Sequence, residues 1–157
     1  MSPPTSGDNY DLPGSWIGGS MDLRDGMATM SLTGEAAGPP IPGADPRRVE
    51  YLHLLPNLLI STHPDYVMTH RLVPLAPGTT WVECSWYAVE PVDGGAVDVA
   101  SAVDFWDLTN RQDWAACESV QRGLSSPHSR AGPLAPAEDA VHQFVQAIGR
   151  AYLGHPL

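Results

Sequence analysis

In the middle of the chain, apolar and polar positions alternate with a period of two, the pattern of strands that have one apolar face. Val49, Tyr51 and His53 occupy alternate positions of the first such segment. Residues 66–73 alternate in the same way, and residues 79–90 are rich in β-branched and aromatic side chains. Short Pro- and Gly-containing breaks separate these segments. The pattern therefore predicts a meander of at least four antiparallel strands.

Two further strands are predicted at 15–23 and 27–33, because Asp25-Gly26 between them is typical of a hairpin turn. Other parts of the N-terminal third have no period and are rich in Pro and Gly. They are predicted to be an irregular lead-in at 1–14 and an exposed loop at 35–46.

After about residue 95 the period changes to that of a helix. A helix is predicted over 99–109, and a continuation or a second start over 111–122, with Gly123 as terminator. A final helix begins near Pro136 and ends at Gly154. Strands come first and helices last, so the sequence predicts an α+β domain spanning 1–157, with long helices packed on an antiparallel sheet.

Composition excludes several classes of function. The 157-residue chain carries a formal net charge of −10, which disfavours nucleic-acid binding because phosphate backbones would repel it. It contains no apolar run long enough for a membrane span and no signal-peptide pattern at its start. Cys84 and Cys117 are predicted to be reduced core residues, which indicates a cytoplasmic protein.

The predicted helix over 111–122 contains a carboxylate on a face that is otherwise apolar. Asp113 shares that face with Cys117, Val120 and Leu124 at the spacing of a core-facing stripe. A carboxylate turned toward an apolar interior must be paired, neutralised or bound to a cation. The alternative is a carboxylate that caps the first turn of its helix or faces solvent.

Other polar residues have both a structural and a functional interpretation. Glu118 and Arg122 are spaced for a surface ion pair, although Glu118 could also support a site. No two of the six histidines have the spacing with which one helix presents two imidazoles to a metal. His53 and His70 are candidates for a pocket because they share strand faces with apolar residues. The tryptophans are core candidates that could also line an aromatic pocket for an apolar or quaternary ammonium ligand.

Four segments, 16–23, 51–60, 63–68 and 113–124, resemble the C-terminal part of Rieske-type ring-hydroxylating oxygenase α subunits. The resemblance implies a helix-grip (START-like) fold, in which a curved antiparallel sheet packs against a long C-terminal helix. It also implies that the fold is incomplete at its N-terminus.

In that family the catalytic domain holds a mononuclear Fe(II) between two histidines and one carboxylate. By resemblance, Asp113 is the carboxylate and is the only predicted metal ligand in this chain. The two histidines would lie upstream of Met1. The paired Cys-x-His and Cys-x-x-His motifs of a [2Fe–2S] Rieske centre are missing from the sequence, so this chain is expected not to bind that cluster.

The resemblance further implies O₂-dependent hydroxylation or demethylation of a small organic substrate, either a quaternary ammonium compound or an aromatic one. The complete enzyme would require a ferredoxin or reductase and would form a homotrimer. The fragment is expected to be inactive alone. The alternative is a stand-alone START-like module that binds a small molecule without redox chemistry. The predicted substrate pocket consists of His53, Asn57, His70, Trp106, Cys117 and Gln121.

Overall fold

A computed structural model describes Asn9, Tyr10 and residues 15–157, and its main feature is one antiparallel sheet. The order of the strands in the sheet follows their order in the chain, which confirms the predicted meander. The strands are β1 (Asn9–Tyr10), β2 (Trp16–Asp22), β3 (Arg48–Leu54), β4 (Leu58–Thr62), β5 (Tyr66–Ala76) and β6 (Thr79–Ala88). Of the predicted irregular lead-in, Asn9–Tyr10 forms β1, and its other residues lie outside the described part of the chain.

The predicted hairpin at 15–33 is wrong in its second half. The turn is present, and Gly26 adopts a positive φ of 83° there, but residues 27–33 form bends rather than a strand. Strand β3 pairs with one side of β2 along its whole length, and β1 pairs with Gly18 and Gly19 on the other side, where a hairpin partner would have to extend. The bends pack over the end of the sheet instead, where Thr29 and Ser31 are buried. The loop predicted at 35–46 is present, and it contains neither helix nor strand.

Two helices follow the sheet, and the α+β prediction is confirmed. The first, α1 (Ala100–Leu124), is one continuous helix of 25 residues that passes through Gly123, so Gly123 is not its terminator. The second, α2 (Asp139–Tyr152), is preceded by a short 3₁₀ turn, Pro136–Glu138, and ends just before Gly154. Within the described residues, neither helix combines the length and apolarity that a membrane span requires.

The main core lies between the sheet and the first half of α1. Tyr66 and Met68 on β5 pack against Ala102 and Trp106 on α1, and all four are buried. The hydroxyl of Tyr66 donates to the carbonyl oxygen of Met30 at 2.6 Å. This bond holds the bends of the 27–33 segment against the sheet.

The second half of α1 does not pack on that core. Asn110 is the last buried residue of the helix, and residues 111–124 are all exposed. The predicted core-facing stripe is therefore wrong as a statement about burial, since Val120 is 60% exposed and Leu124 is 61% exposed. Cys117 is likewise exposed rather than in the core. The helix is longer than the core beneath it, so its last turns extend over a space between helix and sheet.

Candidate functional site

That space is an open cavity of about 1780 Å³ between the sheet and the two helices. Its volume exceeds the roughly 300–1,000 Å³ of a typical small-molecule site, so it has room for a ligand and water together. One wall comes from α1, a second from α2, and the floor from strands β2 to β6. The hairpin between β5 and β6 closes one end, where Trp81 lines the cavity.

A row of five side chains crosses the floor from one strand to the next. Strand register places Ile17 opposite His53, His53 opposite Leu59, Leu59 opposite His70, and His70 opposite Cys84. Residues directly opposite in a sheet share a face, so the whole row faces the same side. The two histidines are two strands apart, which corresponds to about 10 Å.

Each floor histidine contacts a different helix. The ring of His53 stacks on the ring of Phe144 of α2, with centroids 5.5 Å apart. Nε2 of His70 lies 3.1 Å from Oδ1 of Asn110 of α1. His53 and His70 thus join the floor to the two walls, which the period-two pattern of their strands could not reveal.

One face of α1 forms the first wall, with members three or four residues apart. It consists of Trp106, Asn110, Asp113, Cys117 and Gln121. Asp113 therefore lies on the side of the helix that faces the sheet, although it is exposed rather than buried. Glu118 and Arg122 also line the cavity, and the structure forms no ion pair between these two described residues, so the predicted surface pair is absent.

Asn110 is a site residue that the sequence reasoning missed. Its side chain is buried, and both ends of its amide are used: Oδ1 lies near His70, and Nδ2 donates to Sγ of Cys84 at 3.6 Å. Its sequence position could have indicated this role, because Asn110 comes one turn after Trp106 and one turn before Asp113 on the same helix face. A polar side chain on the inward face of a helix needs a hydrogen-bond partner from another element of the structure.

Five of the six predicted pocket residues line the cavity. They are His53, His70, Trp106, Cys117 and Gln121. The sixth, Asn57, does not: its side-chain amide donates to the carbonyl oxygen of Leu72 at 2.9 Å, and its carbonyl accepts from the Leu72 amide at 2.9 Å. Asn57 therefore holds the turn after β3 against β5, because a residue at a chain reversal has backbone groups to satisfy.

His63 lies beside this site but inside the core. It is fully buried, stacks on the Tyr66 ring with centroids 4.1 Å apart, and meets the Trp106 ring edge-on at 5.7 Å. Neither ring nitrogen has a hydrogen-bond partner among the described residues. Burial lowers the pKa of His63 to about 3, and the same desolvation raises the pKa of the Tyr66 hydroxyl. His63 is thus a neutral ring in the core.

The described residues do not by themselves fit a complete iron site of two histidines and a carboxylate. No group of three or more His, Cys, Asp or Glu side chains in the described ranges is arranged to hold a metal. Asp113 offers one carboxylate at the cavity wall. One ring nitrogen of His70 is engaged by Asn110, and one of His53 lies 3.3 Å from the Pro56 carbonyl oxygen.

Comparison with known proteins identifies the family. The family model described as "Ring hydroxylating alpha subunit (catalytic domain)" matches residues 4–154. The glycine betaine monooxygenase oxygenase subunit of Pseudomonas aeruginosa is 30% identical over 118 residues, which cover 72% of this chain and 27% of that protein. Chloroplastic choline monooxygenase of Amaranthus tricolor is 26% identical over 95 residues, covering 60% of this chain and 22% of that protein.

A third relative, chloroplastic choline monooxygenase of Beta vulgaris, is 28% identical over 97 residues, covering 60% of this chain and 21% of that protein. The chain thus spans about a quarter of the length of these curated relatives. The matches do not favour the alternative of a START-like binding module without redox activity. The match over most of the chain confirms the resemblance seen in its motifs: the chain belongs to the family of ring-hydroxylating α-subunit catalytic domains.

Proposed function

We propose that this chain is the C-terminal part of the catalytic domain of an O₂-dependent oxygenase, and that the cavity between α1 and the sheet holds its organic substrate. The observation that carries the proposal is the position of Asp113, on the cavity-facing side of α1, in the segment that resembles the family signature. A carboxylate at the wall of a large cavity can contact a cation or a metal held in that cavity, whereas one on the outer face of the helix could not reach it.

Asp113 is proposed to be the carboxylate ligand of a mononuclear Fe(II), which would supply the oxygen chemistry when bound. The two imidazoles of such a site are proposed to come from outside this chain, since no three His, Cys, Asp or Glu side chains among the described residues are grouped to hold a metal. One carboxylate alone binds Fe(II) weakly, because the imidazoles provide most of the preference for that metal. The chain alone is therefore proposed to be inactive.

The proposed substrate is a small quaternary ammonium compound, with an aromatic substrate as the alternative. Aromatic rings attract such a cation through their faces, and Trp81, Trp106 and Trp114 all line the cavity. Among the described residues that line the cavity, two are carboxylates, Asp113 and Glu118, and one is a guanidinium, that of Arg122. The names of the relatives, glycine betaine monooxygenase and choline monooxygenase, point to the same class of compound.

The proposed activity also requires an electron donor. A ferredoxin or reductase would deliver electrons through a Rieske [2Fe–2S] centre, whose paired Cys and His motifs the present sequence does not contain. The complete subunits are proposed to form a homotrimer, and the enzyme is proposed to be cytoplasmic.

The experiment is a titration of the 157-residue chain with tetramethylammonium, followed by backbone amide NMR. Saturable shifts at residues of the cavity face of α1 are expected, and Asp113→Asn should weaken binding by roughly threefold to tenfold, the range for loss of one partly screened charge contact. The matched control is Asp104→Asn, which makes the same change on the exposed outer side of the same helix and should leave binding unchanged. Equal weakening by both variants, or no saturable shift, would count against the cavity as a site for a cation.

A further inference from the structure

We propose that Asn110 is a positioning residue that fixes the tautomer of His70, so that Nδ1 of His70 accepts a hydrogen bond from a hydroxyl group of the ligand. The part that concerns the ligand rests on the proposed function of the cavity. The part that concerns the tautomer depends only on the contacts of Asn110.

Asn110 is held at both ends of its side-chain amide. The residue is 6% exposed, and its side chain bridges two neighbouring strands, with Oδ1 at 3.1 Å from Nε2 of His70 and Nδ2 at 3.6 Å from Sγ of Cys84. His70 and Cys84 are directly opposite each other in the register of β5 and β6. The amide therefore has a partner at each end, with its oxygen toward His70 and its nitrogen toward Cys84.

The orientation of the Asn110 amide determines the direction of its hydrogen bond to His70. An amide oxygen only accepts hydrogen bonds, so with Oδ1 toward His70 the proton lies on Nε2. In the neutral imidazole, Nδ1 then has a lone pair and acts as an acceptor. Nδ1 has no partner among the described residues and does not belong to the buried unpartnered atoms, so it is accessible from the cavity that His70 lines.

The acceptor on His70 and the groups beside it favour a particular kind of ligand. Near His70, the cavity wall offers the lone pair of Nδ1 and, one turn beyond Asn110, the carboxylate of Asp113. Both favour a ligand group that donates a hydrogen bond, such as a hydroxyl, and both disfavour a ligand carboxylate. Arg122, whose guanidinium could bind a carboxylate, comes twelve residues after Asn110, which places its backbone about 18 Å further along the helix axis. A cation with a hydroxyl group therefore fits this part of the cavity better than a zwitterion with a carboxylate.

The experiment reads the tautomer directly, by long-range ¹H–¹⁵N NMR of the histidine rings at a pH where they are neutral. We expect the Nε2–H tautomer for His70 in the unaltered chain, and a mixture of both tautomers in Asn110→Ala. Asn110→Ser is a second, more conservative variant in case the alanine variant does not fold. His53 is the internal control, because its contacts do not involve Asn110, and its tautomer should be the same in all variants.

The ligand part is tested in the same samples with choline, glycine betaine and tetramethylammonium as probes. Choline should shift the Nδ1 resonance of His70, and glycine betaine should not. His70→Phe should lower the affinity for choline relative to that for tetramethylammonium by roughly fivefold, the loss of one ordinary hydrogen bond.

Each contrary result overturns a definite part of the proposal. An Nδ1–H tautomer in the unaltered chain, or a tautomer that does not respond to either Asn110 variant, overturns the positioning role. Equal effects of choline and glycine betaine on His70 overturn the hydroxyl preference. If none of the three probes binds while the tautomer behaves as expected, the proposed function of the cavity fails and the role of Asn110 stands.

Discussion

The indole Nε1–H of Trp106 donates a 2.8 Å hydrogen bond to the hydroxyl oxygen of Tyr66, and this bond joins the first half of α1 to the start of β5. The same hydroxyl donates to the carbonyl oxygen of Met30. One oxygen atom thus connects three parts of the chain that are distant in sequence: the bends after β2, the sheet and the helix. The wall of the cavity begins at this junction, because Trp106 also lines the cavity.

We expect Tyr66→Phe to lower the free energy of unfolding by about 1–3 kcal/mol, because it leaves the indole N–H of Trp106 and the carbonyl of Met30 without their partner in a buried place. Urea denaturation measures the change. The control is Tyr87→Phe, which removes the hydroxyl of a tyrosine that is 59% exposed and should change stability by less than about 0.5 kcal/mol. Similar losses in both variants would contradict the structural role of the Tyr66 hydroxyl.

Because His63 is buried, we expect the stability of the fold to depend on pH. Its pKa in the folded chain is about 3, below the roughly 6.5 of an unfolded chain, so below pH 6.5 the unfolded state binds more protons than the folded state. The stability contributed by neutral His63 is therefore complete above about pH 6.5 and is lost as the pH falls toward 3. The slope approaches about 1.4 kcal/mol per pH unit once the unfolded His63 is fully protonated.

Urea denaturation at intervals between pH 7 and 5 measures this slope, in a range where few carboxylates titrate. His63→Phe keeps an aromatic ring in the stack with Tyr66 and should flatten the dependence on pH. His155→Gln removes a histidine that is exposed near the C-terminus and should leave the dependence as it is. A curve for His63→Phe as steep as that of the unaltered chain would contradict a neutral buried His63.

The sequence predicted the sheet well because strand periodicity is a local property. The alternation at Val49, Tyr51 and His53 reports directly on which side of a strand faces the core, and β3 forms there. The predicted strand at 27–33 failed because the partner that fills a whole side of β2 is β3, which lies further along the chain. Pairing between distant segments leaves no mark in the local pattern.

For the candidate site, the sequence predicted which residues share a helix face but not what that face contacts. Helical spacing correctly placed Asp113 and Cys117 on one face, but it could not tell whether that face meets packed side chains or a cavity. Burial ends at Asn110, and this limit is set by how far the core extends beneath α1 rather than by the helix itself. The bond between Asn110 and His70 joins residues forty positions apart, so no spacing rule could find it.

Metal binding by the chain alone is expected to be weak. After dialysis against metal-free buffer, less than about one tenth of the chains should retain iron, because Asp113 is a single carboxylate and the described residues contain no group of three ligating side chains. Elemental analysis of the purified chain measures the iron content. Iron in a one-to-one ratio that disappears in Asp113→Ala, and persists in Asp104→Ala, would show that the chain completes a metal site unaided.

The second wall of the cavity depends on a small set of contacts made by α2. Phe144 stacks on His53, and a buried cluster of Ile17, Leu55 and Ala147 supports the same helix. Phe144→Ala removes the stack and part of this apolar contact, so α2 should open locally more often. Hydrogen–deuterium exchange of the 139–152 amides should become roughly tenfold faster or more, while exchange in β4 and β5 stays unchanged.

The matched control for this prediction is Val145→Ala, next to Phe144 on the same helix, where the side chain is 55% exposed. It should change exchange in α2 by no more than about twofold, since little apolar surface is withdrawn from water there. Faster exchange throughout the sheet in Phe144→Ala would mean that α2 and the sheet open together as one cooperative unit. Faster exchange confined to α2 would instead show that this wall of the cavity moves independently of the floor, with the His53–Phe144 stack as the contact that restrains it.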